Sequence, residues 1–156
     1  SYLLPVDGKS NILATGYSMS RLYAELNGLN AACVTVLMDA CFSGSKRGEG
    51  MLASARGVAL KAKAEAPKGN MLVMTAAQGS ETAYPYKEKK HGLFTYFLLK
   101  KLQESKGKVT YGALFDYVKT NVAQKSVVVN EKSQTPTVAV SGDLVSTWQG
   151  IRLNED

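Results

Sequence analysis

The chain has one histidine and two cysteines in 156 residues, and that scarcity narrows the chemistry before any motif is read. One His and two Cys cannot supply a four-ligand structural zinc site without acidic ligands. Two Cys make no disulfide framework, and neither has the spacing of a redox CxxC pair. Long apolar runs are also missing: the longest, such as Val34–Met38, fall far short of the roughly 18 residues a membrane helix requires. No internal repeat or low-complexity segment appears. What is present fits a single folded domain over residues 1–156, since 45% of residues are hydrophobic and 21% charged, which excludes disordered and collagen-like classes. A net charge of +6, from 19 Lys and Arg against 13 Asp and Glu, suits a nucleic-acid partner only if the cations share a face with interleaved aromatics.

The chain begins at Ser1, and Ser1–Gly8 (SYLLPVDG) reads as a short apolar strand entering a turn, not as a secretion signal. A longer precursor cut ahead of Ser1, or an excerpt, both account for such a start. The compartment is therefore open.

Periodicity supplies the elements. Met19, Leu22, Tyr23 and Leu26 fall on one face of a helix over Tyr17–Leu29, with Thr15 and Ser18 available as caps. Ala32–Met38 and Met71–Ala77 are near-continuous apolar runs that suit strands covered on both faces of a parallel sheet. Ser43–Asn70 between them reads as a long basic loop with a helical stretch near Val58–Ala66, and a loop of that length is usually functional or disordered. Gly92–Ser105 carries a stripe of Leu93, Phe94, Phe97, Leu98 and Leu102, and Thr110–Lys125 one of Tyr111, Leu114, Val118 and Val122, so both are expected helices. Gln134–Val140 follows as a last strand, with Pro136 favouring an edge or a strand start. Strands alternating with amphipathic helices predict an α/β layered domain with a largely parallel sheet.

In such sheets, reactive groups gather beyond the carboxyl ends of the strands. The first buried strand leads into Asp39-Ala40-Cys41-Phe42-Ser43-Gly44. A thiol at a strand end, beside small residues and a Gly turn, is placed as a nucleophile would be, with backbone N–H groups nearby for an oxyanion. From position alone an inert thiol is an equal alternative. Cys33, inside the apolar run, reads as a small buried hydrophobe.

The segment LMDACFSG resembles the nucleophile segment of the caspase-like cysteine peptidases, closest to the metacaspase-like and other bacterial members. Four further segments match in order: YLLPVDG at the start, Thr75-Ala76-Ala77 after the second strand, His91-Gly92-Leu93-Phe94-Thr95-Tyr96, and Gln134-Thr135-Pro136-Thr137. The Gln-Ala-Cys-x-Gly form of the animal caspases is not present, because Asp39 stands where Gln would. The resemblance implies a caspase-like three-layer α/β/α sandwich with a mostly parallel sheet, whose N-terminal strands lie upstream of this chain. It also implies a Cys-His dyad in which Cys41 is the nucleophile.

The dyad's base is the difficulty. In caspase-type enzymes the His lies about 50 residues before the Cys, which places it about ten residues ahead of Ser1. His91 is fifty residues after Cys41 and fits the helix-opening segment HGLFTY, whose His is not the base. A papain-like order using His91 lacks a recognisable orienting Asn or Asp. The chain is therefore expected to be the C-terminal, nucleophile-bearing portion of an enzyme whose base comes from an upstream segment or chain of the same precursor.

Asp39 precedes the nucleophile by two residues, so on a strand the two side chains point the same way. The resemblance carries to Asp39 the role of lining the pocket for the residue before the scissile bond, which selects Arg or Lys. A turn-capping Asp is the plainer alternative. Thr75, Ala76 and Ala77 match the segment flanking the substrate cleft, though small residues also suit close packing. The loop from Ser43 to Asn70 carries six basic residues against two acidic, +4 of the chain's +6. It is either a self-processing segment or a solvated loop. No cofactor is expected, and calcium, required by some metacaspases, is poorly supported because Glu49 is the sole acid between Cys41 and Glu65. Two readings from other classes stand beside the peptidase: an inactive caspase-like scaffold, and a basic module for an acidic partner or nucleic acid built on Lys87, Lys89, Lys90, Lys100, Lys101, Lys106 and Lys108.

Overall fold

The computed structural model describes residues 2–3, 5–9, 12–40, 66–79 and 81–154. The chain opens with β1 (Tyr2–Leu3), which turns through Pro5–Gly8 and pairs antiparallel with β2 (Tyr17–Ser18). Helix α1 (Met19–Asn27) follows directly. Ser18 occupies the N-cap position without a side-chain capping bond to a helix backbone N–H. Its hydroxyl meets that of Ser20, and the Thr15 hydroxyl is engaged with the Lys9 and Ile12 carbonyls. The expected caps are thus in place but used elsewhere.

Strand β3 (Val34–Met38) and strand β4 (Met71–Thr75) pair in parallel, Val34 opposite Met71 through Met38 opposite Thr75. The chain then makes a small hairpin, β5 (Pro85–Tyr86) and β6 (His91–Gly92), and enters α2 (Leu93–Ser105) and α3 (Tyr111–Asn130). Thr110 caps α3 by accepting from the Ala113 N–H. The last strand, β7 (Thr137–Val140), pairs antiparallel with β4, so the sheet order is β3-β4-β7.

The expectation of a largely parallel sheet is met only in part: among the described residues the three-stranded sheet is mixed, with β3 and β4 parallel and β7 antiparallel. The reason lies in the helices. One crossover helix returns a chain to the opposite end of a sheet, as parallel pairing requires, but two successive helices return it to the end it left. Helix α2 starts beside Asp39 at the carboxyl end of β3, and the last turns of α3 come back to the carboxyl end of β4, so β7 enters running the other way.

The side chains of β4 alternate between two packed layers, as strand geometry dictates. Leu72, Met74 and Ala76 meet Phe94, Phe97, Leu98, Leu114, Val118 and Val122 from α2 and α3. Met71 and Val73 meet Met19 and Tyr23 of α1, with Leu22 and Leu26 alongside. Strand β4 is accordingly buried, whereas β3 is not covered as expected: Leu37 is 41% exposed and Val34, Thr35 and Val36 are half-buried. Helix α3 also runs five residues past the expected end at Lys125, carrying Val127 and Val128 into solvent. The helical stretch expected near Val58–Ala66 lies, but for Ala66, outside the described residues. No helix among the described residues is long and apolar enough to cross a membrane.

Candidate functional site

Cys41, the expected nucleophile, lies outside the described residues; the structure describes the chain up to Ala40. The strand that leads to it is described. Strand β3 delivers Met38 and Asp39 to the carboxyl end of the sheet, and the parallel pairing extends past Thr75, where the Ala76 N–H donates to the Met38 carbonyl at 2.9 Å. Asp39, Thr75, Ala76 and Ala77 are thereby brought to one end of adjacent strands.

Asp39 is held by α2. A helix leaves its first N–H groups without intrahelical partners, and an N-cap side chain commonly takes the one at N3. Here the N-cap position is Gly92, which has no side chain to offer. Asp39 takes that place from a different element: its Oδ2 accepts from the Thr95 backbone N–H at 3.2 Å and from the Thr95 hydroxyl at 2.6 Å. A carboxylate at a helix N-terminus is also favoured by the macrodipole. Gly92 makes the approach possible, because a Cβ there would lie 2.7 Å from Asp39 Cγ and closer still to Oδ2. Residues 92 and 95 belong to the HGLFTY segment, yet composition and spacing do not mark them as partners of Asp39.

The β4 end is fixed by a different device. The Thr75 hydroxyl meets the Thr137 hydroxyl at 2.7 Å across the antiparallel pair. Ala76 is fully buried, and its carbonyl accepts from Gln134 Nε2 at 2.9 Å. Gln134 is itself 0% exposed. Its Oε1 accepts from the Tyr84 N–H at 2.8 Å and its backbone N–H donates to the Ser126 hydroxyl at 3.0 Å. One residue therefore joins β4 and the segment entering β5 through its side-chain amide, and α3 through its backbone N–H. Beside it, both Glu81 carboxylate oxygens engage Thr135, through its N–H at 2.6 Å and its hydroxyl at 3.1 Å. The expected strand over Gln134–Val140 starts three residues later at Thr137, because Gln134 is committed to this network.

His91 is exposed on β6, opposite Tyr86, one residue before the glycine that meets Asp39. Cys33 is half-buried, with its Sγ 3.9 Å from the Thr35 hydroxyl. Of the lysines at the hairpin and helices, Lys89 lies over Tyr96 and Lys101 over Tyr117, at 6.0 and 5.1 Å from the ring centroids. Among the described residues no group of three or more His, Cys, Asp or Glu side chains gathers as a metal site. Chemically, this sheet end offers, among the described residues, one fixed carboxylate beside small neighbouring residues.

A family model described as the caspase domain matches residues 1–143 of the chain. No curated protein matches it.

Proposed function

The chain belongs to the caspase domain family, and from that membership we propose that it bears the nucleophile of a cysteine endopeptidase cleaving after Arg or Lys. The Cys41 thiolate attacks the scissile carbonyl carbon, forming a C–S bond and a tetrahedral oxyanion that the Cys41 N–H helps to hold. As the C–N bond breaks, the leaving amine takes a proton from the imidazolium of the base. Water, deprotonated by the same imidazole, then attacks the thioester and releases the new carboxyl terminus with the thiolate restored. The base in this reading is a His on a segment upstream of Ser1, and no cofactor takes part. The same proposal includes a three-layer sandwich whose parallel sheet continues beyond β3, a reading supported by the exposure of Leu37 on that strand.

The observation that carries the specificity is Asp39, a carboxylate fixed at the end of β3 two residues before Cys41. A negative charge there complements the side chain of Arg or Lys before the scissile bond. Thr75 and Ala77 are the adjacent wall in this reading, where small residues leave room for a long basic side chain, while the side chain of Ala76 between them is turned into the core. The test is an assay of the complete protein, upstream segment included, on fluorogenic peptides ending in Arg, Lys or Asp. Cleavage after Arg or Lys that is lost in Cys41→Ala is the expected result. Cleavage that survives Cys41→Ala, or that follows Asp, overturns the proposal.

A further inference from the structure

We infer that Thr95 is a positioning residue for Asp39 and sets the preference of the enzyme for Arg over Lys; this rests on the reading of Asp39 as the specificity carboxylate. Three observations lead there. Both donors of Thr95, one from the backbone and one from the side chain, converge on the same oxygen of Asp39. The first turn of α2 supplies them, and α2 is anchored in the core through Leu93, Phe94, Phe97 and Leu98. Gly92 closes the third side, since any larger residue there would overlap the carboxylate.

Two donors on one oxygen fix more than the location of a carboxylate. They fix the plane of the group and the direction of its second oxygen, which one bond would leave to rotate. That distinction matters differently to the two basic side chains. The guanidinium of Arg is a planar fork that pairs with a carboxylate through two parallel bonds, so it requires a defined carboxylate plane. The ammonium of Lys is a compact charge with three rotatable donors and tolerates a carboxylate that swings. Loosening the tether therefore weakens Arg recognition more than Lys recognition, although neither Thr95 atom touches the substrate.

The experiment is steady-state kinetics of the complete protein on matched Arg- and Lys-terminated fluorogenic peptides, with Thr95→Val, Thr95→Ser and Asp39→Asn. Thr95→Val keeps the shape and the backbone N–H but removes the hydroxyl, and Thr95→Ser keeps the hydroxyl. The expected result for Thr95→Val is a rise of about tenfold in KM for the Arg peptide, the scale of one charge-assisted hydrogen bond. The Lys peptide should change less than threefold, kcat should hold for both, and Thr95→Ser should behave as the unaltered protein. Equal changes for Arg and Lys, or an unchanged KM in Thr95→Val, or a failure of Thr95→Ser to restore the preference, overturns the inference. The Asp39→Asn arm separates the two levels: unchanged Arg cleavage there overturns the specificity reading itself. Impaired Asp39→Asn with unaffected Thr95→Val overturns the role of Thr95 alone.

Discussion

The two faces of β4 are built to different depths. Among the described residues, fourteen buried residues form one cluster toward α2 and α3 that includes Phe94, Phe97 and Phe115, and the buried cluster toward α1 is five, with Met38 its contribution from β3. The deep side is closed by interlocking rings, with Phe97 and Tyr117 edge to face at 6.4 Å and Phe115 and Trp148 at 6.1 Å. The shallow side leaves β3 half-covered. Yet β3 carries the candidate site. Its end is positioned by a polar tether that reaches from Asp39 into the first turn of α2, so the deep core locates a residue it does not bury. Stability and site geometry are thus separable, and substitutions should divide accordingly.

The largest difference should appear between the two layers themselves. Phe94→Ala is expected to cost about 3–5 kcal/mol in denaturant unfolding, because it empties a fully buried ring site. Leu22→Ala, on a side chain only partly buried beneath α1, is expected to cost about 1 kcal/mol. Equal losses would show that the two sides are not different in depth.

Gln134→Leu comes next. It fills the same space but leaves the Tyr84 N–H and the Ala76 carbonyl without their partner, at about 1–3 kcal/mol for a buried unpaired group. The loss should appear in the unfolding midpoint, together with faster hydrogen exchange at the Tyr84 amide. Unchanged exchange there would remove Gln134 from its linking role.

Gly92→Ala is a smaller perturbation of stability and a larger one of the site. The backbone at 92, with φ −69° and ψ 153°, accepts alanine, so the cost is steric and about 1–2 kcal/mol. The Asp39 carboxylate must move to admit the methyl group, and the Arg preference should fall with it. Retention of that preference would show that Asp39 does not act from its position against α2.

The smallest effect belongs to an exposed cluster beside α1. The hydroxyl of Tyr17 donates to Glu25, and Arg21 pairs with the same carboxylate at 2.8 Å. Together, the Tyr17 bond first, they hold the Glu25 carboxyl below its usual range. A folded-state value below the unfolded one means that the contribution is present above the unfolded value and disappears as pH falls through the folded one. Glu25→Gln should therefore differ slightly from the unaltered chain near neutrality and converge with it in acid. A difference that grows on acidification would contradict the sign.

Much of this organisation is legible in the sequence, for physical reasons that also mark where it stops. Strand β4 is readable because MLVMT is buried on both faces, and α2 because Leu93, Phe94, Phe97 and Leu98 repeat at helical spacing. The direction of β7 is not, since nothing local in TVAV distinguishes parallel from antiparallel pairing; the α2–α3 pair decides it. The end of α3 was obscured by Val127-Val128-Val129, β-branched residues that favour strands locally but continue a helix already propagating. At the site, the position of Asp39 beyond a strand end could be read from the sequence, but its partner could not. The bond joins residues 56 apart, and only the absence of a side chain at Gly92 hints that the α2 N-terminus is capped from elsewhere. Gln134 was hidden for the opposite reason, because a polar side chain in a strand-like segment gives no sign that it is buried.

The central claim is that Cys41 is the nucleophile of a site whose entry carboxylate is Asp39. Its most direct test is to incubate the complete protein with a peptidyl-arginine chloromethyl ketone, whose chloromethyl carbon alkylates a thiolate sulfur with loss of chloride, and to locate the adduct by peptide mass mapping. The account predicts a single adduct on Cys41, absent in Cys41→Ala and slowed in Asp39→Asn. An adduct on Cys33 or His91, or labelling that proceeds equally in Cys41→Ala, would contradict it.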